Sequence, residues 1–259
     1  MKAMIFAAGL GTRLKPITDT LPKALVPVCG VPLLEHVVDC LREAGFDDFV
    51  VNVHHFADAI IDFVSERESF GAKVSISDER DRLLETGGGI LHAKQLLLDS
   101  EPMDGSFLVH NVDILSDLDI GWFLAQRREG ALATLLVSDR DSSRKLLFDD
   151  EMRLVGWWNV STGEVRSPYP SLDPCLCHAY AFAGIHDVSN SIFAHMEEEG
   201  MGERFPIMDF YLRVCDRLPI YGAVPASLNV VDVGKLDTLA KAEEFMLRCG
   251  RSCPARFEG

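Results

Sequence analysis

Between Met1 and about Arg140, short apolar runs alternate with segments whose apolar residues recur every three or four positions. That alternation limits the fold more than any other feature of the chain. AMIFAA, FVVNV, KVSIS, SFLVHN and ALATLLVS have strand length and are bounded by polar or glycine-containing turns. LLEHVVDCLREAG puts Leu34, Val37, Val38 and Leu41 on one helical face and stops on Gly45. ADAIIDFVSER, ILHAKQLLL and IGWFLAQRRE have the same amphipathic spacing. Strands separated by helices pair in parallel, with helices over both faces of the sheet. The expected class is α/β, a three-layer sandwich around a mostly parallel central sheet.

After Arg140 the pattern changes. KLLFDDEMRLVGWWN reads as a hairpin around Asp149–Asp150, and HAYAFAGIH as a further strand. SNSIFAHMEEE, IMDFYLRVC and LDTLAKAEEFMLR read as helices. No flexible linker, internal repeat or low-complexity tract divides the halves. With 259 residues, 47% of them apolar, one domain over 1–259 is expected. Its portions are 1–140, a hairpin-bearing 141–230 and a C-terminal helix in 231–259.

The formal net charge is −15, which repels nucleic acid and anionic lipid, so neither is an expected partner. No run approaches the roughly 20 apolar residues that span a bilayer. The seven cysteines include Cys175/Cys177 and Cys249/Cys253, neither with a matching pair at zinc spacing. They are expected as buried or free thiols in a reducing cytoplasm. An anionic ligand would then need a local basic site, and Arg13, Lys15 and Lys23 crowd into one loop.

That loop, GLGTRLKPITDTLPK, follows the first strand. Leu14 stands where a dinucleotide fingerprint needs its third glycine, and no Gly-Lys-Ser/Thr ends it as in a P-loop. Gly9 and Gly11 let backbone amides approach phosphate oxygens. Arg13 can clamp two such oxygens, and Lys23 adds a movable charge. Three consecutive glycines in LLETGGGI precede the expected helix, where they permit positive φ and close packing. Asp113 ends a hydrophobic strand and is either a cation ligand or a helix N-cap, as Asp117 and Asp119 could be. Asp232 precedes a Val-Gly turn. Trp157, Trp158 and Asn159 either line a ligand or pack. His54–His55, expected on a strand and so facing opposite ways, and His110 are taken as structural.

AAGLGTRLKPITDTLPKALVPVCGVPLLEHV resembles the signature of the sugar-1-phosphate nucleotidyltransferases. ETGGGI is similar to the N-acetylmuramate-1-phosphate uridylyltransferases within that family. The resemblance is strong over 3–38 and 83–117, and weaker over 178–186 and 228–245. It implies a Rossmann-like (GT-A-like) fold and transfer of a nucleotidyl group, with UTP and N-acetylmuramate-1-phosphate the expected pair, as in cell-wall recycling. Portion 1–140 would then bind nucleotide, and the hairpin layer would cover the sugar.

By resemblance Arg13 stabilises departing pyrophosphate and Lys23 neutralises the α-phosphate. Ala8, Gly9, Gly11 and Thr12 wrap the nucleotide; Glu85 and Gly88 meet the base, and Asn111 joins them. Asp113 and Asp232 would hold Mg²⁺, although Val112 replaces the family's usual glycine. Gly184, in the Phe-x-Gly-Ile stretch, and Asn159 would touch the sugar, with Trp157–Asn159 standing where many relatives carry Glu-Lys. Phosphocholine cytidylyl transfer, hexose- or heptose-1-phosphate nucleotidyl transfer, or a catalytically silent nucleotide-sensing subunit are the alternatives.

Overall fold

The computed structural model describes residues 1–102 and 104–250. Cys253 and the rest of the C-terminal stretch lie outside the described residues.

The chain opens with strand β1 (Lys2–Phe6). Two-residue strands β2 (Pro27–Val28) and β3 (Val31–Pro32) lead to helix α1 (Leu33–Glu43), β4 (Asp48–Val53), α2 (Ala57–Glu66) and β5 (Lys73–Asp78). Helices α3 (Glu85–His92) and α4 (Lys94–Leu98) precede β6 (Ser106–Asn111), β7 (Ile114–Ser116) and α5 (Ile120–Leu124). Next come β8 (Ala133–Ser138), β9 (Arg144–Phe148), β10 (Leu154–Asn159), β11 (Val165–Arg166) and β12 (His178–Ser189). Helices α6 (Ile192–Glu198) and α7 (Ile207–Val214), strands β13 (Ile220–Ala223) and β14 (Val230–Asp232), and helix α8 (Leu236–Arg248) complete the order.

These elements gather into two units. The loop-bearing unit holds Ala3–Arg82, His110–Leu118 and the chain from Asn229 onward. There β1, β4 and β5 run parallel, with Phe6 opposite Asn52 and Val53 opposite Asp78. Ile5, Phe49, Val50, Val51 and Val53 are fully buried, as strands covered on both faces require. Helix α1 buries Leu33, Leu34, Val37, Val38 and Leu41. It stops as expected: Gly45, at φ 92°, donates to Arg42 O, and Phe46 donates to Leu41 O. Antiparallel β14 and β7 set Asp232 opposite Ile114.

The hairpin unit comprises Met1–Lys2, Leu83–Val109 and Asp119–Leu228. Strands β9 and β10 form the expected hairpin, and β12 pairs antiparallel with both β8 and β9. Strand β13 runs parallel to β8, so the fold is mixed α/β. The β8–β12 ladder slips between Phe182 and His186, where Gly184 takes φ 78°, the mark of a bulge.

Two local expectations change. The glycine triplet lies inside α3 rather than before it, and the positive φ of 63° belongs to Glu85. Gly87 and Gly88 are glycines because neighbouring chain leaves no room: a Cβ at Gly87 would strike the Phe205 ring, and one at Gly88 the Glu203 carbonyl oxygen. His54 and His55 follow β4 rather than lying on it, because the chain turns there and His54 Nδ1 pairs with Glu79 O at 2.7 Å.

Candidate active site

In the loop-bearing unit the chain leaves β1 and runs through Ala8 and Gly9 into a 3₁₀ turn at Thr12–Leu14. Gly11 must be glycine. Its φ is 63°, and an added Cβ would lie 2.8 Å from Thr18 Cγ2 and 3.2 Å from Lys23 Cβ. Thr18 Oγ1 donates to Gly11 O at 2.8 Å, which closes the loop on itself. Gly9 differs: the atom nearest to a built Cβ is Lys23 Cδ at 4.0 Å. The fold therefore leaves the face of Gly9 open, while Leu14 anchors the loop as a fully buried side chain.

Four of the charged residues singled out from the sequence meet here. Lys23 Nζ forms an ion pair with Asp113 Oδ2, the two side chains being 11% and 19% exposed. Asp113 O accepts from Val233 N at 2.8 Å, so the β7–β14 pairing carries Asp232 to the neighbourhood of Asp113. Arg13 Nη2 and Asp232 Oδ1 both crowd Gly234, lying 2.9 and 2.7 Å from where its Cβ would be. Two cations and two carboxylates, distant in sequence, thus share one end of this unit. Asn111 ends β6 just before Asp113, and Val112 N donates to Phe6 O at 3.2 Å.

The two carboxylates suit a hard cation such as Mg²⁺, which commonly takes one or two protein carboxylates and fills its sphere with water and phosphate oxygens. No third His, Cys, Asp or Glu joins such a group among the described residues. Asp119, by contrast, is an N-cap: its side chain accepts from Trp122 N at 2.9 Å. Asp117 accepts from the backbone and side chain of Asn229. Buried His110 is neutral, its pKa held down to about 4 by desolvation, and its Nδ1 pairs with Asn111 O at 2.9 Å.

The other predicted residues belong to the hairpin unit. Glu85 Oε1 accepts from Arg204 Nε at 3.0 Å. Gly87 and Gly88 both donate to Phe205 O, and Ile207 N donates to Thr86 Oγ1. The Gly88 amide is therefore already committed. The Asn159 side-chain oxygen accepts from Ser161 N and Thr162 N, building the turn after β10. Trp157 and Trp158 are half-buried, and Arg166 lies over the Trp157 ring at 5.8 Å. Sequence patterning did not single out Arg204 or Phe205, which organise Glu85–Gly88 from more than 100 positions away.

The mixed α/β fold thus gathers the glycine loop, two cations and two carboxylates at one end of the loop-bearing unit, a set whose chemistry suits phosphate oxygens. HddC from Yersinia pseudotuberculosis, in a structure complexed with GMP-PN, shares the fold at a TM-score of 0.72 and 23% identity, covering 95% of this chain and 99% of that one. The Nucleotidyl transferase family model matches residues 2–145, more than half of the chain, and the chain belongs to that family. An N-acetylmuramate alpha-1-phosphate uridylyltransferase of Caulobacter vibrioides is 48% identical over 113 residues, 43% of this chain and 45% of the relative. A UTP–glucose-1-phosphate uridylyltransferase of Synechocystis is 37% identical over 145 residues, 52% of this chain and 37% of the relative. The matched stretch spans less than half the length of either relative.

Proposed function

We propose that this chain transfers a uridylyl group from UTP to N-acetylmuramate-1-phosphate, releasing pyrophosphate. The observation that carries the reading is the Lys23–Asp113 ion pair set beside Asp232 and Arg13 at the glycine loop. The Caulobacter relative supports the choice of base and sugar.

The acceptor phosphate is itself an anionic nucleophile, so no protein nucleophile is required. An acceptor oxygen attacks the α-phosphorus in line with the departing pyrophosphate, and catalysis is positioning and charge neutralisation. Amides along Ala8–Thr12 orient the triphosphate. Lys23 offsets charge at the α-phosphate, and Arg13 stabilises the leaving group. Asp113 and Asp232 would hold Mg²⁺, which when bound supplies positive charge to the phosphate oxygens. Asn159 and Gly184 are proposed for the sugar side, with Glu85 and Gly88 for the base.

The test is a matrix of pyrophosphate release. UTP, CTP, GTP and dTTP are each paired with N-acetylmuramate-1-phosphate, glucose-1-phosphate, mannose-1-phosphate and phosphocholine, with and without Mg²⁺. Dominant, Mg²⁺-dependent release from UTP with N-acetylmuramate-1-phosphate is the expected result. Dominance of another pair would overturn the substrate assignment, and nucleotide binding without release in any pair would overturn transfer itself.

A further inference from the structure

The ladder between β1 and β4 ends at Phe6 opposite Asn52. Ala7, the first residue beyond it, donates its amide to a side chain, Asn52 Oδ1 at 2.8 Å. The other end of that carboxamide is also held: Asn52 Nδ2 donates to Glu79 Oε1 at 2.9 Å. Both side chains are buried, with 1% and 3% of their surface exposed. Glu79 is fixed in turn, because its amide donates to Val53 O at 2.8 Å and its carbonyl pairs with His54 Nδ1.

The chemistry allows one arrangement. A carboxyl oxygen that accepts must face the NH₂ end of the carboxamide, so the Asn52 oxygen must face Ala7. Burying a carboxyl group and a carboxamide is expensive unless both are hydrogen-bonded, and ending a strand does not require either. What this pair determines is the direction in which the backbone leaves the sheet, one residue before Ala8 and Gly9.

We infer that Asn52 and Glu79 are positioning residues that aim the Ala8–Gly9 backbone at the nucleotide. The inference rests on the proposed function, in which those two residues meet the nucleotide. Neither side chain touches the reacting groups. Loss of the relay lets the loop entry wander, which weakens nucleotide binding and leaves the rate of the bound complex nearly unchanged.

The experiment titrates the full chain with UTP, CTP, GTP and dTTP by calorimetry, and follows KM, kcat and thermal midpoint for Asn52→Leu, Glu79→Ala and Glu79→Gln. For the preferred nucleotide, Asn52→Leu and Glu79→Ala are expected to raise Kd and KM by about 10- to 100-fold, with kcat within about threefold. Glu79→Gln keeps an acceptor oxygen facing Asn52 and is expected to bind within about threefold of the parent. A lowered thermal midpoint with unchanged Kd in Asn52→Leu would overturn the proposal, as would a Glu79→Gln variant as weak as Glu79→Ala. Should Asn52→Leu fail to fold, the contrast between the two Glu79 variants decides. If the parent protein binds none of the four nucleotides, the nucleotide reading falls and takes this proposal with it; normal parent binding with indifferent variants overturns the proposal alone.

Discussion

The Lys23 ammonium lies on the Asp113 carboxylate, 90 residues away in the chain, with both side chains largely shielded from water. The same carboxylate is one of the two proposed to hold Mg²⁺, and on that proposal the lysine and a divalent cation would compete for it until nucleotide drew the lysine to its phosphate. Lys23→Met is accordingly expected to have opposite effects on two measurements. Turnover falls by about 100-fold or more, while Mg²⁺ binding to the nucleotide-free protein tightens several-fold, as removal of a partly shielded competing charge implies. Calorimetric titration with Mg²⁺ alone reads the second effect, and unchanged or weaker binding would remove Asp113 from the metal site.

The two glycines of the loop separate folding from binding. Gly9→Ala meets only Lys23 Cδ, at 4.0 Å, and is expected to leave the unfolding free energy within about 0.5 kcal/mol, while raising KM for nucleotide about tenfold. Gly11→Ala combines a left-handed backbone with a contact against Thr18 and is expected to cost about 1–3 kcal/mol. Urea denaturation together with nucleotide kinetics on both variants checks the contrast.

Within α3 the structure ties glycine to packing. A methyl group at Gly88 would run into the backbone carbonyl of Glu203, which cannot rotate aside as a side chain can. Gly88→Ala is expected to lower stability by about 1–3 kcal/mol. Denaturant midpoints measured without any ligand test this, and a variant as stable as the parent would mean that the 203–205 segment gives way freely.

A buried imidazole makes stability pH-dependent. Desolvation lowers the His186 pKa to about 3, and its Nδ1 pairs with Tyr211 OH at 2.8 Å. The unfolded chain takes up the proton near pH 6.5, whereas the folded chain resists it to much lower pH. This contribution is therefore complete above pH 6.5 and is lost as pH falls from there toward 3. Neighbouring Asp187 acts in the opposite sense, since burial raises its pKa and its protonation favours the folded state. Thermal midpoints between pH 7.5 and 4.5 are expected to fall less steeply for His186→Gln than for the parent; equal slopes would discount the histidine.

Much of the local architecture was legible in the residues. Helix α8 occupies the predicted LDTLAKAEEFMLR, Gly45 ends α1, and the hairpin turns at Asp149–Asp150. These features follow from periodicity and from the few backbone angles that glycine alone adopts easily. The long-range partners were not legible. Nothing local marks Asn52 as the cap for Ala7, 45 positions earlier, or Arg204 as the partner of Glu85, 119 positions earlier. Residue pattern alone puts the glycine triplet before the helix rather than in it, because the crowding by Glu203 and Phe205 that calls for glycine there comes from another part of the chain.

Residue patterning was enough to give the α/β class and the family signature of the opening loop, and to single out Arg13, Lys23, Asp113 and Asp232. Periodicity and residue type carry that information without any knowledge of neighbours. Long-range pairing supplied the rest: Lys23 rests on Asp113, β14 brings Asp232 to the same place, and buried Asn52, held by Glu79, accepts from the Ala7 amide. Hydrogen bonds and ion pairs form between groups close in space, and spatial proximity across many residues is set by how strands pair and helices pack.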